Sequence, residues 1–246
     1  MAEQKYPRAS LAAWYQSRYL GDQMDANTGV VHTTEGTTLP SYGSGASAPT
    51  FTLVPSLTSK TVAVFQHFDV DRSARALVNK AGGVQTNTLN CVQVELVGTC
   101  DPKTRAKWTA EGRSFIFWPE APEWALLEFA RLVRWLSDVH GVRLQSSVAW
   151  KAYPGSYGAN GVRLSGEAWM DYYGWLGHQH VPENDHGDPG NFPMVRVLEM
   201  AKTKAWEGGT TPPAPKPPTV EERLTALEKT AKDQGARLAA LESKGT

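Results

Sequence analysis

The chain has 246 residues, 41% of them hydrophobic with nine tryptophans, enough for one sizeable core plus an appendage. Its 25 basic and 25 acidic side chains cancel, which removes the electrostatic case for nucleic acid or an anionic membrane as a partner. No apolar run approaches the roughly 20 residues of a membrane span, and MAEQKYPRASLAAWYQ has no apolar stretch of signal-peptide length, so synthesis in a cytosol is expected.

In chain order, TGVVHTT (28–34), TFTLVP (50–55) and TVAVFQHF (61–68) are β-branched or apolar runs that predict strands. NCVQVELVG (90–98) is the clearest strand. Val92, Val94 and Leu96 face one way, and Cys91, Gln93 and Glu95 face the other. The two cysteines, Cys91 and Cys100, flank this strand, which holds them apart, so free thiols are expected. A helix is predicted from Glu123, with Leu126, Phe129, Ala130, Val133 and Leu136 on one side and closure at His140-Gly141. Strands followed by a covering helix give an α/β class. The composition breaks after KTKAWEGG. Residues 208–219 read as a Pro-rich linker, extended and semi-rigid. Over 220–243, Val220, Leu227, Gln234 and Leu241 recur every seven residues, as do Leu224, Ala231 and Leu238, which predicts a short coiled coil and self-association.

The chemistry-bearing stretch is GWLGHQHVPENDHGDPGNFP (174–193). It holds three of the six histidines, His178, His180 and His186, with Asp185 and Asp188, among glycines and prolines that preclude a regular helix. A catalytic zinc site takes three protein ligands and keeps a position open for water. His32, where a strand runs out into a Gly- and Thr-rich loop, can join a histidine and a carboxylate of the 178–188 segment in such a set. Glu95 stands in an otherwise apolar strand, so it meets a cation or borders a cleft, which is the setting a general base needs. Other candidates take plainer readings. Asp69 and Asp71 lack the remaining ligands of a calcium loop and read as a solvated turn. His67 is a core, edge or groove residue, and His140 closes a helix. Trp108, Trp118, Trp150, Trp169 and Trp175 are mostly core. YGSGAS is not a nucleophile elbow.

Taken together, VVHTTEG, NCVQVELVG and GHQHVPENDHGDPGNFP resemble the type-2 N-acetylmuramoyl-L-alanine amidases, which share the fold of peptidoglycan recognition proteins. The resemblance spans about residues 28 to 200 and is nearest to endolysins of phages infecting actinobacteria. It implies a central mixed β-sheet flanked by helices, with residues 1–207 as the zinc amidase domain. It places the metal ligands on His32, His178 and Asp188 and the acidic catalytic residue on Glu95. It puts His186 where the family often has a lysine that steadies the oxyanion. It implies one catalytic Zn2+, peptidoglycan as the partner, manufacture in the host cytoplasm and action on the cell wall after release, without membrane insertion. Three positions depart from the pattern: Pro49 and Thr50 stand where a histidine is common, His180 replaces an aspartate, and His186 replaces the lysine. His180 is a rival to His178, because in an extended segment the two point to one side. A non-catalytic peptidoglycan-binding module of the same fold and a zinc peptidase acting on the stem peptide are the alternative functions.

Overall fold

The computed structural model describes residues 2–88 and 90–207; the expected linker and coiled coil, 208–219 and 220–243, lie outside the described residues. Six strands form one sheet: β1 (Ala9–Ser10), β2 (Thr28–Thr33), β3 (Phe51–Ser56), β4 (Thr61–Gln66), β5 (Cys91–Leu96) and β6 (Gly174–Gly177). Their order is β1-β4-β3-β5-β2-β6. The β3–β4 pair is an antiparallel hairpin, and every other neighbouring pair is parallel. The helices are α1 (Pro102–Ala110), α2 (Glu123–His140), α3 (Gly166–Met170) and α4 (Met194–Thr203). No helix among the described residues is long and apolar enough to cross a membrane.

Local chemistry accounts for the boundaries. Asp101 caps α1 by accepting from the Lys103 amide, with Pro102 next to it, where the absent N–H costs nothing. The expected helix is α2, and it stops at Gly141, whose φ of 75° is left-handed backbone that glycine adopts without a Cβ clash. Leu126, Phe129, Ala130, Val133 and Leu136 are all buried, as their spacing predicts.

The two sheet faces are covered differently. Val31, Val92, Val94 and Leu96 enter one core with Phe129 and Val133 of α2 and Val197 and Met200 of α4. On the other face Val30, Cys91 and Leu176 pack with Leu77, Trp169 and Val181, which come from loops and the single-turn α3. The expectation of helices flanking the sheet therefore holds fully for one face only; irregular chain covers most of the other. Trp108, Trp118, Trp169 and Trp175 are buried and Trp150 is half-buried. Cys91 and Cys100 are free, buried thiols.

Residues alternate across a strand, so His32 lies on the same face as Val30, and Glu95 on the same face as Cys91 and Gln93. The β2–β5 register sets His32 directly opposite Glu95. The sheet thus delivers both side chains to the loop-covered face, at the carboxyl ends of two parallel strands.

Behind the sheet, buried Glu128 of α2 accepts from Arg8 (2.8 and 3.0 Å) and from Arg131 (2.8 Å), tying the N-terminal segment to the helix. Burial opposes its ionisation, but the hydrogen bonds from Arg8 and Arg131 overcome that and hold the carboxyl below its ordinary 4.5. A depressed folded-state pKa contributes stability above the unfolded value and loses it as pH falls through the folded one. Glu128→Gln is expected to cost about 1–3 kcal/mol at pH 7, with a deficit that shrinks steadily below pH 4.5. Urea denaturation across that range checks this; a deficit that stays constant with pH excludes the ion pair as its source.

Candidate metal centre

Three parallel strands end at one edge of the sheet, where α/β folds expose reactive groups. β2 carries His32 near its end, β5 carries Glu95 one residue before its end, and His178 directly follows β6. Asp188 returns to this edge because the Thr33 amide donates to its Oδ2 (3.2 Å) and the Gln179 amide donates to its carbonyl (3.1 Å). The result is a buried triangle: His32 Nδ1 lies 3.1 Å from His178 Nδ1 and 3.5 Å from Asp188 Oδ2, and His178 Nδ1 lies 3.2 Å from Asp188 Oδ1. His32, His178 and Asp188 can hold a metal ion. A tetrahedral ion with arms of about 2.0–2.2 Å separates its ligand atoms by roughly 3.4 Å, close to these three edges.

Protonation fits such an ion. Asn184 directs its amide nitrogen to the carbonyls of Val78 (3.3 Å) and Pro182 (2.9 Å), so its Oδ1 is an acceptor for the Val78 amide (3.1 Å). His178 Nε2 meets that oxygen at 3.1 Å and must be the protonated nitrogen, which leaves Nδ1 as a lone pair facing the triangle. Burial, reinforced by the His178 ring, lowers the His32 pKa to about 4, so this ring is neutral at pH 7. Burial alone would raise the Asp188 carboxyl, but the facing His178 and His32 rings, when they carry a proton toward it, hold it well below the usual carboxylate range. Lone pairs of a neutral imidazole and a carboxylate therefore converge in a desolvated space. One proton on His32 Nδ1 relieves a single contact; a divalent cation relieves all three.

Glu95 is half-buried, but its Oε2 is fully buried and has no hydrogen-bond partner. Desolvation, then the charges of Asp188 and Glu35, push its carboxyl well above the ordinary value. A cation at the triangle opposes that push and favours the ionised form. His186 sits at the rim, its side chain 68% exposed, stacked on His178 at 4.7 Å with Nδ1 3.8 Å from Asp188 Oδ1. Burial of its inner face, and then His178, lower its pKa.

A 3-10 turn covers His178–His180 in place of the extended segment the sequence suggests, and it bears on the rivalry between the two rings. The turn rotates the two rings apart. His180 Nδ1 accepts from the Gly177 amide (2.9 Å) and Nε2 donates to the Ala149 carbonyl (3.0 Å), so both nitrogens are occupied away from the triangle. His67 is a core residue, bonded to Thr52 Oγ1 (2.8 Å) and the Ala13 carbonyl (2.7 Å). His140 bonds the Glu3 carbonyl, and Asp69 pairs with Lys5 and Gln16.

Beside the triangle lies a cleft of ≈ 290 Å³ whose lining includes Glu35, Asp101, Tyr153, Tyr157, His186 and Asp188. Nothing in the sequence marks Glu35 as a site residue. It accepts from Thr33 Oγ1 (2.8 Å), the Cys100 amide (2.9 Å) and Thr99 Oγ1, and so joins the loop after His32 to the loop after Glu95. Its φ of 49°, rare for a non-glycine residue, is not legible in TTEG. Asn184 was equally silent, since its role depends on a ring six residues away.

No protein-family model and no curated protein matches the chain. Among solved structures, a mutant of PlyL aligns over 57% of this chain and 78% of its own, with 12% identity and a TM-score of 0.36.

Offered zinc and then desalted, the protein is expected to retain about one ion per chain, as is His180→Phe, whereas His178→Ala retains none. Elemental analysis decides this; equal loss in the His180 and His178 variants would overturn the assignment.

Proposed function

We propose that the chain is a zinc hydrolase of the endolysin type, cutting the amide between N-acetylmuramic acid and L-alanine in bacterial peptidoglycan. One observation carries this reading: a buried His-His-Asp triangle at the strand ends that bear, on the same sheet face, a carboxylate whose Oε2 has no partner. Structural ion sites close with four protein ligands, whereas hydrolytic sites stop at three and leave room beside them. Three donors and an adjacent cleft support the second kind. The amide bond itself comes from the resemblance carried by VVHTTEG, NCVQVELVG and the 177–193 segment.

His32 Nδ1, His178 Nδ1 and an Asp188 carboxylate oxygen would hold the ion. Zinc bound there supplies Lewis acidity for a carbonyl oxygen and lowers the pKa of water to about 7. Glu95 is the residue that takes a proton at Oε2 and returns it to the leaving amine, since its oxygen is desolvated and uncommitted. Asn184 keeps the proton of His178 on Nε2 throughout. His186, neutral at pH 7 because its pKa is lowered, offers one N–H to the oxygen on which negative charge develops. The cleft between Tyr153, Tyr157 and the Glu35–Asp101 wall would receive the peptide stem.

Glu95→Gln is expected to keep its zinc and its melting temperature while wall hydrolysis falls by roughly 10²–10⁴-fold. Mass spectrometry of digested peptidoglycan should show intact glycan and a new L-alanine amine. Cleavage inside the stem peptide would make the enzyme a peptidase, and wild-type binding to walls with no product would make it a binding module.

A further inference from the structure

The segment from His178 to Asp188 carries two of the three triangle residues and His186, yet its regular structure amounts to one 3-10 turn. Its backbone carbonyls consequently need donors from elsewhere. One stretch, residues 156–164, supplies many of them. Asn160 Nδ2 donates to the Gln179 carbonyl (2.8 Å), the Leu164 amide to His180 (2.9 Å), the Gly158 amide to Asp185 (2.8 Å) and Ser156 Oγ to Gly187 (2.6 Å). The centre of this cradle is Arg163. Its Nη1 donates to the carbonyls of His178 (3.2 Å) and Val181 (2.8 Å), its Nη2 to His186 (3.0 Å) and Gly158 (3.2 Å), and its Nε to Gly158 (3.3 Å). Among the described residues no carboxylate lies within ion-pair distance of it; backbone carbonyls accept all of these hydrogen bonds, while Asp185 and Asp188 act on the charge from farther away. Asn160 Oδ1 in turn accepts from the Arg163 amide (3.0 Å), which fixes where the side chain starts.

We propose that Arg163 is a positioning residue of the metal centre: its guanidinium fork holds the carbonyls of His178, Val181 and His186 at fixed spacing, and thereby sets where the His178 ring and the Asp188 carboxylate stand relative to His32. The role requires a planar group with five N–H donors, because three carbonyls of the ligand segment and one of the opposing loop are engaged by one side chain. A lysine ammonium has the charge and three donors but no fork, so it cannot span the same set. Arg163 makes no hydrogen bond to a side chain of the triangle or the cleft; it acts through the backbone carbonyls of His178 and His186.

This rests on the metal-centre reading, and the test separates the two. Arg163→Lys and Arg163→Ala, each with the wild-type chain, are followed by thermal melting, by zinc affinity against a chromophoric chelator, and by the visible spectrum of the cobalt-loaded protein. For Arg163→Lys the expected result is a cooperative melt with zinc affinity reduced about 10–100-fold, the range seen when outer supports of a metal site are removed. The cobalt bands should shift or weaken, and kcat on purified walls should fall with KM little changed. Wild-type affinity and an unaltered cobalt spectrum in both variants would overturn the role of Arg163 while leaving the metal centre standing. A wild-type chain that binds no zinc would instead overturn the metal centre, and this inference with it. If neither variant melts cooperatively, Arg163 supports the fold at large and the positioning role is wrong.

Discussion

The in-register parallel pairing of β2 and β5 is the constraint from which the site follows. Thr28 stands opposite Cys91 and the pairing continues without a break to Thr33 opposite Leu96, so His32 meets Glu95 across one strand spacing. A slip of one residue would turn one of the two to the helix-covered face, since side chains alternate with a period of two. The register is well specified because Val31 and Val94, paired within the same ladder, are both buried against α2 and α4. Apolar packing on one face thus fixes polar geometry on the other. The site needs no special device in the strands themselves, only that the core be right.

Desolvation then sets the protonation of His32 and Glu95. It keeps His32 neutral, and it raises Glu95, whose Oε2 finds no partner, where a hydrogen bond would have lowered it. Asp188 resists the same burial because two imidazoles that can carry a proton and the Thr33 amide face its carboxylate. Neutral donors, an ionised carboxylate and an uncommitted acid are what a hydrolytic divalent ion requires of its surroundings. They arise from where the strands end and from what excludes water there.

The supports of this centre have a different origin from its ligands. Asn184 fixes one ring by its side chain, Glu35 links the two strand-end loops, and residues 156–164 donate to several carbonyls of the segment that carries His178 and Asp188. A segment so poor in regular structure would otherwise leave buried backbone oxygens unpaired, at about 1–3 kcal/mol each. Loops cover this sheet face, so the hydrogen bonds a helix would have made internally are made between loops. That arrangement gives irregular chain the stiffness a ligand set needs.

The amino-acid sequence by itself determined the four longer strands and α2 with its Gly141 stop, and it singled out His32, Glu95 and the 178–188 segment. These are written in local periodicity, in single-residue conformational preference and in the rarity of histidine. Short β1 and β6 and the small helix α3 are not legible, because two to five residues carry too little pattern to outweigh their neighbours; the longer α1, whose one buried residue is Trp108, and α4 are not predicted either. The choice between His178 and His180 is undecidable locally: both are histidines flanked by the same chain, and only the 3-10 turn sends one ring to the triangle and the other to a carbonyl. Glu35, Asn184 and Arg163 were invisible for a deeper reason. Each acts on groups that come within hydrogen-bond reach only after the sheet has formed, and hydrogen bonds depend on distance and direction that residue order does not contain.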